Sequence, residues 1–135
     1  MSTKKYSYRF ILGFLLVIFV LHLLGMRYGW YWHVWGYDKF VHLLGGFWIA
    51  SLAIWFFRRF PQFFAIERHF AFRFLVVLGA VALAGVAWEF FEFSLDQFFA
   101  AALTLKNQLG LVDTMSDLAF DLAGGALFNF VYLLV

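Results

Sequence analysis

Four apolar stretches, each long enough to cross a membrane as a helix, occupy most of this 135-residue sequence. They cover about residues 8–25, 39–57, 70–98 and 113–135. A helix rises about 1.5 Å per residue, so about 20 residues cross the hydrocarbon core of a bilayer. The segments between them are too short for a soluble domain. The sequence therefore predicts an all-α polytopic membrane protein, in which residues 1–135 form one domain of four transmembrane helices packed as a bundle.

The composition excludes other classes of protein. Hydrophobic residues make up 65% of the chain and charged residues 13%, whereas soluble domains have about 45–50% and roughly 25%. The polar side chains are too few to cover a soluble globular domain, and a disordered chain would be far more polar. The sequence contains no cysteine, which excludes disulfides, thiolate metal ligands and cysteine catalysis.

The segment between the first two spans is unusually aromatic. Residues 26–37 read MRYGWYWHVWGY. Tyrosine and tryptophan are enriched where a membrane meets water, so we expect this segment to lie at the membrane surface.

Basic residues are distributed unequally between the two ends of the predicted bundle. Seven lie at the end that holds both termini and three at the other end. The first group is Lys4, Lys5, Arg9, Arg58, Arg59, Arg68 and Arg73, and the second is Arg27, Lys39 and Lys106. Because lysine and arginine are enriched in cytoplasmic segments, we expect a protein of the cytoplasmic (inner) membrane with both termini in the cytoplasm. The basic surface is too thin for nucleic acid to be expected as a partner.

Seven of the eight acidic residues fall at the opposite, outward-facing end, and only Glu67 does not. The seven are Asp38, Glu89, Glu92, Asp96, Asp113, Asp117 and Asp121. Within each span they are three or four residues apart, a spacing that puts side chains on one helix face. His42 follows Asp38 by one turn, and His22 reaches a similar depth. We therefore expect these side chains to face one pocket inside the bundle.

Such a cluster requires a counter-charge. Two unit charges 4 Å apart repel by about 4 kcal/mol at an effective dielectric constant near 20, and one charge at the centre of a span costs about 2.5–3.5 kcal/mol. Either some carboxyl groups are protonated or a cation lies among them. Few basic residues are nearby, so a divalent metal ion is the simpler solution. Carboxylate oxygens favour Mg²⁺, Ca²⁺ or Mn²⁺ over Zn²⁺, although an imidazole would admit Zn²⁺ or Fe²⁺.

Purely structural roles are the alternative for part of this cluster. Asp38 and Asp113 begin their spans, where aspartate is a common helix cap. Asp96 lies where the third span ends and would be solvated there. A hydrogen bond to Asp38 would by itself account for His42, and His22 would be a packed histidine. The four remaining acids lie too far inside their spans to act as caps.

The second and fourth spans share a sequence pattern. Residues 38–46 read DKFVHLLGG and residues 117–125 read DLAFDLAGG, so both follow D-x-x-x-(H/D)-L-x-G-G. Small residues let membrane helices approach closely. A pseudo-twofold relation between two helical hairpins would explain the repeat. Coincidence is the alternative, because glycine pairs are common in membrane helices.

Three motifs resemble those of the VanZ-like families, which are small bacterial and archaeal inner-membrane proteins. They are YDKFVH in the second span, WEFFE in the third and DTMSDLAFD in the fourth, and the resemblance covers about residues 37–126. The D-K-x-x-H element on Asp38, Lys39 and His42 is the most similar, whereas the acidic motifs of the third and fourth spans match a related uncharacterised branch better than VanZ itself. VanZ-like proteins are grouped with enzymes of lipid head groups. The resemblance thus implies chemistry on a phospholipid or polyprenyl-phosphate head group.

The first functional hypothesis is a metal-dependent lipid-phosphate hydrolase or head-group transferase at the outer face of the membrane. The metal would polarise a phosphate oxygen or activate a water. The catalytic candidates are His42 as general base or nucleophile, Asp38 as the residue that orients it, and Glu89. The candidate metal ligands are Glu89, Glu92, Asp113, Asp117 and Asp121, and the candidate phosphate-binding residues are Lys39 and Arg27.

Two other functions stay open. Intramembrane carboxylates also form pathways for divalent cations or protons, although the inner halves of the third and fourth spans offer few polar groups. A non-catalytic role, in which the acidic pocket binds another membrane protein, is the third hypothesis. Membrane lipid is the partner expected for the enzyme, and a homo-oligomer is compatible with the sequence.

Overall fold

The computed structural model describes residues 8–64, 69–99 and 107–134. These residues form helices and short connections without any strand, and four of the helices are long and apolar enough to cross a membrane. The helices are α1 (Tyr8–Tyr28), α2 (Trp30–His33), α3 (Tyr37–Arg59), α4 (Phe70–Phe99) and α5 (Leu111–Leu134). The predicted all-α polytopic fold is therefore confirmed. Among the charged residues named in the sequence analysis, Lys4, Lys5, Glu67, Arg68 and Lys106 lie outside the described residues.

The aromatic segment between α1 and α3 contains the short helix α2, which its composition does not indicate. Gly29 and Gly36 flank this helix with φ angles of 70° and 76°. Glycine adopts this left-handed conformation without the steric cost that a Cβ imposes, so the chain turns sharply twice within a few residues. The first turn brings the hydroxyl of Tyr31 to His22 of α1. Trp35, after α2, is completely exposed.

α3 is the central helix of the bundle. It packs most extensively against α5 and also contacts α1 and α4, and α4 packs against α5. α1 lies at the edge of this group, mainly on α3, and meets α4 where the ring of His22 contacts the ring of Trp88 edge to face. α3 and α5 run in the same direction, because Lys39 and Asp113 in their first turns are in contact.

The buried faces of α3, α4 and α5 change in polarity along the bundle. The buried residues of α4 recur every fourth residue, which keeps them on one face. That face begins at one end with Arg73, continues with apolar or small residues and finishes at the other end with Glu89. α3 buries His42, Gly46, Ala50, Ser51, Ala53 and Ile54, and α5 buries Asp117, Asp121, Gly124, Gly125, Phe128 and Asn129. The three faces therefore bring their acidic and imidazole groups to the same end.

α3 and α5 approach so closely that their backbones are in contact at glycine residues. A Cβ added at Gly46 would collide with the backbone of Asp121, and one added at Gly124 would collide with the carbonyl group of Leu43. Small residues allow this approach in membrane helices. The glycines of the repeated motif thus join α3 to α5 directly beside the acidic residues. The pseudo-twofold relation of the two hairpins stays a prediction.

An apolar core separates the acidic end of the bundle from the far end. Its buried residues are Ala50, Ile54, Val77, Val81 and Phe128. Two polar side chains lie at the same level, but the Ser51 hydroxyl and the Asn129 amide both donate to carbonyl groups of their own helices. Within the described residues, this core contains no charged side chain.

Candidate functional site

Six carboxyl groups lie together where α3 and α5 begin and α4 ends. They belong to Asp38, Glu89, Glu92, Asp113, Asp117 and Asp121. The innermost groups are almost completely buried, with Asp117 2% exposed and Glu89 6% exposed. Lys39 and His42 of α3 lie among them. With one ammonium and one imidazole beside six carboxyl groups, the deprotonated cluster has excess negative charge.

Lys39 neutralises the part of the cluster formed by α3 and α5. Its Nζ lies 3.3 Å from Oδ2 of Asp38 and 2.7 Å from Oδ1 of Asp117, and it donates a short hydrogen bond to Asp113. Asp113 also accepts a hydrogen bond from the backbone N–H of Leu109, just before α5. The lysine ammonium is therefore held between carboxylates of two helices.

The imidazole of His42 lies between two carboxylates. Its Nδ1 is 3.3 Å from Oδ1 of Asp121 on α5, and its Nε2 is 3.7 Å from Oδ1 of Asp38 on its own helix. Only the first distance is within the range of a weak hydrogen bond. The sequence spacing favoured Asp38 as the residue that orients His42, whereas the shorter contact is with Asp121.

The two glutamates of α4 differ in their partners. The side chain of Gln108 donates to Oε2 of Glu89 at 3.0 Å, and Oε1 of Glu89 is buried with no hydrogen-bond partner in the part of the chain that the structure describes. Oε1 of Glu92 accepts a hydrogen bond from the indole N–H of Trp88 at 3.0 Å. A buried carboxylate oxygen without a partner is unfavourable, so Oε1 of Glu89 is suited to a further ligand.

Glycines on two helices make room for the carboxylate of Asp121. A Cβ added at Gly85 of α4 would lie 2.6 Å from Oδ2 of Asp121. On α3, a Cβ added at Gly45 would lie 3.9 Å from Oδ1. A larger residue at Gly85 would therefore displace the carboxylate that holds His42.

Among the described residues, two groups of side chains have the geometry to hold a cation. In each group the potential ligand atoms lie within 4.8 Å of one another. In the first, formed by Asp38, His42 and Asp117, both aspartates already contact Lys39. The second consists of His42, Glu89 and Glu92. It includes the glutamate with the unpartnered oxygen and is the better candidate for a cation site.

A cavity of about 210 Å³ adjoins the cluster and extends towards the middle of the bundle. Its walls are mostly apolar and come from α1, α3 and α4, for example from Ile18, Ile49 and Ala84. Its polar end is formed by His22, Tyr31, Asp38, His42, Glu92 and Asp121. The site thus has a charged end and an apolar extension.

A second cavity of about 30 Å³ also adjoins the cluster. It shares His22, Tyr31, Asp38 and Glu92 with the large cavity, and its other walls include Asn107 and Leu109 before α5. A cavity needs about 10–15 Å³ to hold one water. This smaller cavity therefore gives the cluster a water-sized space beside the loop that precedes α5.

The family of the chain follows from its sequence. A family model described as a predicted membrane protein (DUF2238) matches residues 3–135. The chain belongs to the DUF2238 family. No curated protein and no solved structure matches it. The family match and the four helices of spanning length establish this DUF2238 member as a multi-pass membrane protein.

Tyr31 is a residue of this DUF2238 site that the sequence patterns did not single out. Its hydroxyl is 2.8 Å from Nδ1 of His22, and it lines both cavities. Burial raises the pKa of the Tyr31 phenol, and the nearby Tyr37 and carboxylates act in the same direction. The phenol therefore stays protonated near neutral pH. In the sequence, Tyr31 is one of several aromatic residues of an interfacial segment, so composition alone did not distinguish it.

The loop before α5 supplies a second unexpected residue, Gln108. Asp96 accepts hydrogen bonds from the backbone N–H groups of Asn107 and Gln108, at 3.0 and 2.9 Å, and from the side-chain amide of Asn107. These hydrogen bonds hold the backbone so that the Gln108 side chain can donate to Glu89. The sequence predicted that Asp96 would simply be solvated, whereas in the structure its carboxylate holds the loop before α5. No helical spacing relates Gln108 to Glu89, so no sequence signal indicated the contact.

The predicted site residues are brought together with one exception. All candidate catalytic and metal-ligating residues lie in the cluster. Lys39, a candidate phosphate-binding residue, is also there, although its ammonium faces carboxylates. Arg27 is exposed, and its guanidinium lies 5.9 Å from the ring centroid of Tyr28. The chemical roles of these residues stay predictions.

Proposed function

We propose that this DUF2238 protein is a metal-dependent enzyme that acts on the head group of a phospholipid or polyprenyl phosphate, as a hydrolase or a head-group transferase. The observation that carries this proposal is the group formed by His42, Glu89 and Glu92, of which His42 and Glu92 line the charged end of a mostly apolar cavity. The resemblance of Asp38, Lys39 and His42 to the D-K-x-x-H element of VanZ-like proteins supports the choice of a lipid head group.

A divalent ion would be held by Glu89 and Glu92. The buried Oε1 of Glu89 and the excess negative charge of the cluster support this assignment. Asp117 and Asp121 are the further carboxylates of the proposed ligand set. Their oxygens favour Mg²⁺, Ca²⁺ or Mn²⁺ over Zn²⁺. Asp113, also predicted as a ligand from the sequence, would not contact the ion, because its carboxylate already contacts Lys39 and the N–H of Leu109. A bound ion would supply the positive charge that a lipid phosphate needs in a site otherwise rich in carboxylates.

His42 is the proposed general base. Asp121 holds its Nδ1, and the longer distance from Asp38 leaves Nε2 without a strong hydrogen bond. In its neutral form, an imidazole that donates Nδ1–H to a carboxylate has an unprotonated Nε2, which can take a proton from an attacking water or hydroxyl group. General bases of this kind contribute about 10²–10⁴-fold to a rate. The smaller cavity provides the space through which water would reach the site.

We place the site at the outer face of the cytoplasmic membrane, with both termini in the cytoplasm. The unequal distribution of lysine and arginine supports this orientation. Lipid head groups lie at that depth, so a membrane lipid is the proposed partner. A homo-oligomer is not needed for the site, because all six carboxyl groups come from one chain.

The apolar core is the reason to prefer an enzyme over a transporter. A pathway for cations or protons needs polar groups through the whole membrane. The described core of Ala50, Ile54, Val77, Val81 and Phe128 lies between the acidic cluster and the far end. An enzyme needs access from only one side.

The metal content of the detergent-purified protein tests the proposal. We expect about one divalent ion per chain in the wild type, measured by elemental analysis after incubation with Mg²⁺, Ca²⁺, Mn²⁺ and Zn²⁺ in turn. Glu89→Gln combined with Glu92→Gln should remove this ion, because amides are weaker ligands of similar shape. Asp113→Asn is the matched control and should retain it, since Asp113 is occupied by Lys39 and Leu109.

A catalytic variant completes this test. Because the two glutamates would hold the ion and His42 would act only as the base, His42→Asn should retain the ion. It should lose at least about 100-fold in turnover of a lipid phosphate, as expected for the loss of a general base. A wild-type protein without a stoichiometric ion, or a double glutamine variant that retains one, would contradict the metal site. Turnover that is unchanged in His42→Asn would contradict the proposed base.

A further inference from the structure

We infer that the large cavity binds one hydrocarbon chain of a lipid phosphate, which enters sideways from the bilayer between α1 and α4. The phosphate would then lie at the acidic cluster. This inference rests on the proposed function and adds to it a binding site for the apolar part of the substrate. It explains why a charged cluster adjoins an apolar cavity in the interior of the bundle.

The lining of the cavity indicates an apolar occupant. Leu15 and Ile18 of α1, Ile49 of α3 and Val81 and Ala84 of α4 form its walls away from the cluster. Water is held in cavities that offer it several polar partners, and these walls offer few. An engineered apolar cavity of about 150 Å³ in another protein binds benzene. At about 210 Å³, this cavity can hold a segment of a single chain.

The arrangement of the helices indicates a route from the side. α1 packs mainly on α3, whereas α4 packs on α3 and α5. His22 of α1 and Trp88 of α4 meet near the charged end of the cavity. Further from that end, Ile18 of α1 and Ala84 of α4 both line the cavity, and α1 makes few contacts with α4. A chain in the surrounding bilayer can therefore enter between α1 and α4 without leaving an apolar environment.

The charged residues at one end of the cavity determine which way round the lipid would lie. His42 and Glu92 lie at the end of the cavity, with Glu89 in the same candidate cation group. The opposite end is formed by residues nearer the middle of the spans. A lipid phosphate placed with its chain in the cavity would put its head group at these residues, at the depth where head groups lie. The remaining length of the chain, and any second chain, would stay in the bilayer.

Two alanines of α4 provide a matched pair of variants. Ala84 lines the cavity, whereas Ala87, three residues later, is exposed and is not among the lining residues. Ala84→Trp should fill the cavity, and Ala87→Trp should place the same side chain in the lipid. Ala84→Leu is a smaller change that should fill it in part. Helix content by circular dichroism and the metal content establish whether each variant is folded.

The test measures binding of radiolabelled dodecyl phosphate to the protein in phosphatidylcholine nanodiscs, with empty nanodiscs as the background. Butyl phosphate, which has the same head group without the long chain, is the comparison. We expect dodecyl phosphate to bind wild type and Ala87→Trp equally and at least about tenfold more tightly than butyl phosphate. The affinity of Ala84→Trp for dodecyl phosphate should fall about tenfold or more, and that of Ala84→Leu should fall less. The larger side chain leaves room for fewer methylene groups of the ligand, and each methylene group that is buried strengthens binding.

Each result decides one of the two proposals. If folded Ala84→Trp and Ala84→Leu bind dodecyl phosphate as tightly as the wild type, the chain does not occupy this cavity and the inference is wrong. Equal affinity of the wild type for the two phosphates would overturn it as well. Removal of divalent ions tests the proposed function separately. Binding that depends on the chain but not on the ions would support the lipid cavity and contradict the metal site.

Discussion

Lys39 lies between three carboxyl groups that belong to two helices. Its contacts with Asp38, Asp113 and Asp117 give the ammonium a structural function in this fold. Removing one partner of a buried ion pair leaves an uncompensated charge, which typically costs more than the pair itself contributes. The side chain of Lys39 is 22% exposed, so the cost should fall between the values for surface pairs and for fully buried pairs.

Replacing Lys39 by methionine should lower the free energy of unfolding by roughly 2 kcal/mol. The apolar stem is kept and only the ammonium is lost. Thermal unfolding in detergent, followed by circular dichroism, measures the effect. Lys39→Arg is the control and should be close to the wild type, because it keeps the charge. Adding Asp113→Asn to Lys39→Met should restore part of the stability, because one of the uncompensated carboxylates is removed. If Lys39→Met were as stable as the wild type, the ammonium would not be needed for the stability of the fold.

At the scale of the helices, the contact between α3 and α5 determines the geometry of the site. Gly46 and Gly124 let the two backbones meet, and this brings His42 to Asp121 and Lys39 to Asp117. α4 then closes the cluster through Glu89 and Glu92. The site depends on close packing because its residues are contributed by neighbouring helices that face each other.

Gly46→Ala and Gly124→Ala should each force α3 and α5 apart. Overpacking in a tight interface typically costs about 1–3 kcal/mol, so both variants should unfold at lower temperature than the wild type. Gly79→Ala is the matched control, since an added Cβ there has no neighbour within 4 Å. It should be neutral or stabilising by up to about 1 kcal/mol, because alanine favours the helix. A Gly124→Ala variant as stable as Gly79→Ala would contradict the close contact.

The sequence predicted the helices well and the site in part. Length and hydropathy determine a spanning helix locally, so each of α1, α3, α4 and α5 covers most of a predicted stretch. The spacing of Asp117 and Asp121 also follows from helix geometry. In contrast, the contact of Gln108 with Glu89 depends on a loop, and the two Gly-flanked turns around α2 depend on backbone conformation. Neither of these leaves a periodic pattern in the sequence.

For the molecule as a whole, the orientation in the membrane determines which leaflet the site faces. The chain is free of cysteine, so a single introduced thiol can report on each end of the bundle. Trp35 lies at the end that holds the acidic cluster, and Gln62 lies in the turn between α3 and α4 at the other end. Both residues are exposed.

Trp35→Cys should react with a membrane-impermeant maleimide in intact cells. Gln62→Cys should react only after the membrane is permeabilised, because we expect the arginine-rich end to be cytoplasmic. Mass shift on a gel measures the labelling, and the cysteine-free wild type is the control. The opposite pattern would reverse the orientation and place the proposed lipid site at the inner leaflet.

The contact between α3 and α5 also has a consequence for how the protein is made. These two helices are neighbours in the bundle, but α4 separates them in the chain. When α3 leaves the translocation machinery, Lys39 and His42 still lack the carboxyl groups of Asp113, Asp117 and Asp121. The charged centre can therefore assemble only after α5 has been synthesised and inserted. A nascent chain that stops before α5 would leave this lysine and histidine without those partners in the membrane, where quality-control proteases could recognise it as incomplete.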